Sequence, residues 1–384
     1  WVRSGCTAVV EQITIRHGQT RSGLAGDSAE GGAGENGAGL LINGAAYLWR
    51  CVISSNRTGN GGTGAAGFQG GRGGRGGGIY SDGYLELLEC TVSDNQTGAG
   101  GAAGSGGIGG DGGDGPGIHN SSVLVMDRST VSGNRAGAGG PGEVGGAGGD
   151  GGIWNNFALT IRSSTINGNR AGQGGEGTGG AGGNGGSGGG VLSEPGSVVT
   201  LAHSTVADNQ AGAGGTGSPV GSPGSGGGLF ASSGSVSMTH GLVASNRTDG
   251  VGPDMAGWWH SSGYNLVQTT NGWSVTGDSA TVLTEVDPLL GLLTNHGGVT
   301  LTRRIPRSSP AAEAGDPAFA GVPALDQRGV NRVQGNRPDI GAYELENGIL
   351  YVAEAGTDAD NECRDALLPC GSLVHAVGQA LAGD

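Results

Sequence analysis

The sequence predicts an all-β solenoid, a parallel β-helix carrying glycine-rich inserts, on three observations. A phrase closing at Asn56, Asn95, Asn134, Asn169, Asn209 and Asn246 recurs at spacings of 39, 39, 35, 40 and 37 residues. A repeat of that length marks units that cannot bury their apolar faces alone and must stack. Each unit carries short apolar phrases of strand period, and between units glycine returns at every third residue.

Aligned, the units give columns. Leu40, Ile79, Ile118, Ile153, Val191 and Leu229 open the coils. Ala8, Ala46, Leu85, Leu124, Leu159, Val199 and Val236 come next, with Val10, Leu48, Leu87, Met126, Ile161, Leu201 and Met238 two residues on. More polar residues such as Glu86, Thr160 and Thr200 separate the two columns, the alternation of a strand. Ile15, Ile53, Val92, Val131, Ile166, Val206 and Val243 form a further column. Leu85 and Leu87 share one parity, whereas Cys90 and Val92 share the other. A bend at residues 88–89 lets both pairs face inward, which predicts two or three short strands per coil.

Cys51 and Cys90 share a column with Ser129, Ser164 and Ser204, a column for small buried groups. Stacked thiols are expected there, with a disulfide between adjacent coils as the alternative; Cys6 has no assigned partner. The asparagines read as a stacked side-chain ladder that satisfies turn backbone. N-glycosylation is the competing reading at NRT 56, NQT 95 and NRT 246, but the other three asparagines lack the acceptor pattern.

The inserts have a phase. Glycine occupies 61, 64, 67, 70, 73 and 76 in one, and 98, 101, 104, 107, 110 and 113 in the next. Period three is that of an extended helix rising about 3.1 Å per residue. With 13 prolines in the whole chain, a collagen triple helix is excluded. Ordering a residue costs about 1–2 kcal/mol, more for glycine, so ordered inserts need mutual hydrogen bonds. A flexible linker has no reason to keep phase, so the inserts are expected to form a polyglycine-II-like bundle flanking the rod. Arg72 and Arg75 precede Ile79 by the same seven and four residues that separate Asp111 and Asp114 from Ile118. Register stacking therefore sets Arg72 against Asp111 and Arg75 against Asp114.

The 384 residues carry a net charge of −14, and all 19 basic residues are arginine. The absence of lysine removes P-loop and Schiff-base chemistry, and the acidity argues against nucleic acid or anionic membrane as partner. No run reaches the ~20 apolar residues of a membrane helix. WVRSGC is not the start of a signal peptide, and the chain opens in mid-coil, so a longer gene is expected. Cys363 and Cys370, seven apart, suit a local disulfide and an oxidising compartment, with free thiols or a metal pair as alternatives.

The phrases GPDMAG, SSGYNL, VDPLLG, NHGGVTLT, SSPAAEAGD, ALDQRG and RPDIGAYE, within residues 252–345, resemble the closing segment of bacterial surface β-helix proteins. These are the CSLREA and choice-of-anchor Q domain proteins of the pectin-lyase-like superfamily. The resemblance implies a right-handed β-helix and a secreted or cell-surface protein without an assigned activity. Met255 and Trp273 stand where relatives tend to carry cysteines, which leads us to expect an apolar Met255–Trp273 contact in place of a disulfide. Glu313 replaces the usual Asp. The last segment, ILYVAEAGTDADNECRDALLPCGSLVHAVGQALAGD, resembles the opening of such a domain: a strand, a cysteine-closed loop and an amphipathic helix. Leu373, Val374, Val377, Ala380 and Leu381 are expected to form the buried face of that helix. The organisation read is 1–250 coils with inserts, 251–345 closing segment, and 346–384 the opening cap of a following domain or subunit.

Enzymes that act on polysaccharides from a β-helix need clustered aspartates on an outer strand face. Asp94 and Asp208 share a position but lie on non-adjacent coils. His17, His203 and His240 fall on the outside of the coils, where solvated surface residues are expected. No catalytic residue, resident metal or cofactor is assigned; incidental Ca²⁺ could visit Asp111, Asp114 and Asp150. The expected function is that of a structural, adhesive or matrix-forming extracellular or bacterial cell-surface protein. Its partners would be copies of itself, end to end as a filament or tandem rod, with surface polysaccharide as a further candidate. An exposed end coil also calls for a cap or a partner. The alternative is a polysaccharide lyase or hydrolase, or a carbohydrate-binding β-helix.

Overall fold

The computed structural model describes residues 1–318, 323–346, 352–358, 363 and 369–381, the last four as backbone only. Most coils carry three strands, for example Ile79–Ser81, Tyr84–Leu88 and Thr91–Ser93. The first and second strands of successive coils share a 14-stranded sheet, joined where Leu229–Thr239 runs through both rows. The third strands form a nine-stranded parallel sheet from Thr14–Arg16 to Leu283–Thr284. The fold is thus a parallel β-solenoid.

The aligned columns are structural columns. Leu85 pairs with Leu124, Leu124 with Leu159 and Leu159 with Val199. Val92, Val131, Ile166 and Val206 line up in the other sheet. All of these are buried in one continuous apolar core, because alternation sends every second side chain inward.

The bend at 88–89 is present, and its chemistry is not that of glycine. Glu89 has φ 54°, and Arg50, Arg128, Ser163, His203 and His240 hold the same corner at 52°, 45°, 42°, 45° and 49°. Left-handed backbone costs a non-glycine residue on the order of 1 kcal/mol. The stacked ladders on both sides hold the corner there. A second left-handed column, Ser55, Asp94, Gly133, Gly168, Asp208 and Ser245, precedes each asparagine.

The solenoid continues past residue 250 without inserts, through Met255–Ser261 with Leu266–Val267 and Trp273–Gly277 with Leu283–Thr284. Residues 288–318 and 323–346 then lie as a strap over the outer face of the third strands. Gln327 Nε2 donates to Thr130 Oγ1 at 2.8 Å, and its Oε1 accepts from Thr165 Oγ1 at 2.6 Å. Thr205 Oγ1 accepts from Ala342 N at 3.0 Å.

The helix Leu373–Leu381 forms where the amphipathic pattern placed it, with Ser372 Oγ accepting from His375 N at 3.1 Å as its cap. Its expected buried face is corrected. Leu373, Val374 and Val377 are 69%, 84% and 48% exposed, and Ala376, buried against the disulfide, is what the helix packs. The side chains of Ala380 and Leu381 lie outside the described residues.

Candidate functional site

Two hydrogen-bonded walls run the length of the coil stack. The first is the asparagine ladder. Asn134 Oδ1 accepts from both Asn95 N and Asn95 Nδ2 at 2.9 Å, while Asn134 Nδ2 donates to Asn169 Oδ1 at 2.8 Å and to Val92 O at 3.0 Å. The same pattern links Asn56 to Asn95, Asn169 to Asn209, and Asn209 to Asn246. Gly18 N opens the ladder on Asn56 Oδ1 at 2.8 Å, and Asp254 ends it. One Asp254 oxygen accepts from Asn246 N and Nδ2, the other from Thr269 N and Oγ1. Burial raises the pKa of this carboxyl, against those four donors. Sequence reading missed Asp254, which carries no repeat signal. Asn56, Asn95 and Asn246 are buried with both amide hydrogens bonded, which leaves no room for a glycan in the folded rod.

The second wall is the glycine bundle. Each of the six inserts is a hairpin of two extended legs, held by pairs such as Gly71 N to Gly62 O and Gly74 N to Gly59 O, both 2.8 Å. Neighbouring inserts bond leg to leg every third residue: Gly70, Gly73 and Gly76 donate to Ile108, Asp111 and Asp114 at 3.0, 2.9 and 3.1 Å. A third set crosses from outgoing leg to preceding return leg, as in Gly101 N to Gly71 O at 2.8 Å. Two glycine facets per leg are therefore packed and one residue in three faces outward.

Several outward N–H groups, which no leg can reach, are taken up by side chains. Asn36, Asp111, Asp114, Asp150, Asn184 and Ser187 accept from the backbone N of Arg75, Ala147, Asp150, Ser187, Ser222 and Ser225. Arg72 meets Asp111 at 2.6 Å and Arg75 meets Asp114 at 3.0 Å, as register stacking predicted. Arg72→Ala should shift stability by less than about 1 kcal/mol in chemical denaturation. Asp111→Ala should cost more, because Ala147 N also loses its acceptor.

Two clusters of carboxylates stand out among the described residues. Asp111, Asp114, Asp150 and Glu194 line a cleft of about 270 Å³ with Arg72, Arg75 and Trp154. Burial raises the Asp114 pKa, and burial with the neighbouring Asp114 charge pushes Asp150 up to about 8. Trp154 Nε1 donates to Glu194 at 3.0 Å. Within the strap, buried Asp326, Asp339 and Glu344 accept backbone N–H groups, and Arg328 pairs with Asp326 at 2.9 Å. Arg332 reaches down to Ser163 Oγ at 3.1 Å and His203 O at 3.3 Å. The ALDQRG and RPDIGAYE residues thus fasten the strap. Of the aspartates that share a repeat position, Asp94 is exposed and Asp208 is bound by Arg303.

The histidine expectation is overturned for two of three. His17 is exposed, but His203 and His240 are buried, because the strap covers the outer face they sit on. Their rings stack at 4.1 Å, and His240 Nε2 accepts from Asp316 N at 2.9 Å. Burial lowers both pKa values, with Arg332 adding to it and Asp316 partly offsetting it at His240, which falls to about 4. His119, between Tyr80 and Trp154 at 4.7 and 4.1 Å, is lowered to about 3 by burial and then Arg75. A depressed histidine binds protons more readily in the unfolded chain. Its contribution is complete above the unfolded pKa near 6.5 and is lost as pH falls toward the folded value. The half-buried Asp150 and the buried Asp339, both raised, act in the opposite sense, so the readout is a difference between proteins. His119→Phe should remove on the order of 3 kcal/mol from the stability change between pH 6.5 and pH 4, measured by denaturation at both.

Cys363 and Cys370 form the disulfide. Its sulfurs lie close to His375, but a joined pair offers no thiolate to a metal. Cys51 and Cys90 are buried free thiols, Cys51 N donating to Cys90 Sγ at 3.4 Å, and burial pushes Cys90 up to about 12; Cys6 is free and exposed. Met255 is buried opposite Leu229, while Trp273 sits opposite Gly257 and packs its ring on Trp259 at 5.4 Å.

No family model matches the chain, and no curated protein matches it. One solved structure is similar: the antifreeze protein of the springtail Granisotoma rainieri, a bundle of nine polyproline type II helices. It is 22% identical, over 55% of this chain and 94% of that one, with a TM-score of 0.15. A likeness of that TM-score carries no argument about fold or function.

Proposed function

We propose that the chain is a structural rod of an extracellular matrix or bacterial cell surface, of the CSLREA and choice-of-anchor Q type, built into filaments or tandem arrays by end-to-end stacking. The observation that carries this is the continuity of both walls. The asparagine ladder and the glycine bundle repeat coil after coil, and most of the polar side chains read as functional candidates are engaged in holding them. The exposed Leu373, Val374 and Val377 face gives a neighbouring unit an apolar surface to cover. The disulfide fits an oxidising compartment.

Electron microscopy of the native material tests the reading. Rods much longer than one chain are expected, and denaturing mass spectrometry then separates covalent tandems from stacked subunits. Isolated single-chain particles at all concentrations would contradict it.

A further inference from the structure

Beside the asparagine ladder runs a second, outward column. Gln19, Arg57, Gln96, Arg135, Arg170, Gln210 and Arg247 are bridged in parallel register, coil to coil. Arg57, Arg135, Arg170 and Arg247 are exposed, and among the described residues none has an ion-pair partner. We propose that this column is a binding track for a linear anionic polysaccharide lying along the rod axis.

The pattern is not what a free rod needs. Like charges directly opposite on neighbouring strands are destabilising, and Arg135 stands over Arg170. Glutamine at 19, 96 and 210 shows that the same backbone position does without a charge. Asp94 and Asp208 occur two residues before Gln96 and Gln210, whereas the arginine coils carry Ser55, Gly133, Gly168 and Ser245 there. Carboxylates are thus kept out of that position in the arginine coils, though exposed Asp249 follows Arg247 by two residues, and Asp208 is already taken by Arg303. In a chain of net charge −14 this leaves a local cationic stripe.

The spacing selects the ligand. Successive coils lie about 4.8 Å apart, close to the length of one pyranose in an extended glycan. Guanidinium forks take carboxylate or sulfate groups bidentately, and the interleaved amides can bond hydroxyls. Single-stranded nucleic acid fits less well, since the column holds no aromatic platform.

The test is binding of the full chain to polygalacturonate, dextran sulfate, neutral dextran and single-stranded DNA by titration calorimetry at low and high salt. Arg57→Gln, Arg135→Gln, Arg170→Gln and Arg247→Gln are combined in one variant, each copying a residue the column already uses. The wild type should bind at least one anionic glycan with affinity that falls as salt rises, and the variant should lose about tenfold or more with a thermal midpoint equal to or above that of the wild type. Which polymer binds tells carboxylate from sulfate. The proposal is overturned if the wild type binds neither, if the variant binds equally well, or if neutral dextran or DNA binds as tightly. Rod assembly seen by microscopy should be the same in both proteins, so this result stands apart from the structural reading.

Discussion

Asn134→Ala should destabilise the rod by about 4 kcal/mol, a large loss for a single polar substitution. Its side chain makes four hydrogen bonds at full burial, to Asn95 N, Asn95 Nδ2, Asn169 Oδ1 and Val92 O. Alanine leaves the Asn95 donors and the Val92 and Asn169 acceptors without partners where water cannot replace them. Asn184→Ala provides the control. It too removes a ladder contact, to Ser222 N at 3.0 Å, but on an exposed facet where water substitutes. Denaturation should show Asn184→Ala within about 1 kcal/mol of wild type. Equal effects at the two sites would mean that the buried ladder does not hold the coils.

Gly140→Ala should cost about 3 kcal/mol or more, although it adds a single methyl group. A Cβ there would lie 2.0 Å from Gly101 O and 2.9 Å from Gly100 O, both backbone atoms of the preceding insert. Neither can yield without breaking the bond from Gly140 N to Gly110 O at 2.7 Å, or its equivalents along the leg. The sign is what makes this informative. In a flexible linker the same substitution would be neutral or slightly stabilising, since alanine lowers the entropy of the unfolded chain. Ala138→Ser, on the exposed outward facet of the same leg, should stay within about 0.5 kcal/mol.

What could be read in advance was whatever repeats. The Leu85–Leu124–Leu159 column, the asparagine ladder, the glycine phase and the Arg72–Asp111 pairing all follow from period, since a solenoid converts sequence spacing directly into contact. The change of parity placed the corner at 88–89, but the left-handed backbone of Glu89 and His203 was hidden, because a non-glycine residue in that conformation leaves no local mark. Asp254, which ends the ladder, and the strap that buries His203 and His240 depend on residues that occur once. The exposed Leu373, Val374 and Val377 show the same limit from the other side: amphipathic spacing predicts a helix, but not what it packs against.

The most direct measurement is hydrogen exchange of the insert amides, resolved against those of the strands. The facet glycines of the central inserts, Gly101, Gly110, Gly140 and Gly146, should be protected to the same degree as Leu124 and Val131 and should open with them. Exchange of those glycines at the rate of an unstructured peptide, beside protected strands, would show the inserts to be loose tethers and contradict the account.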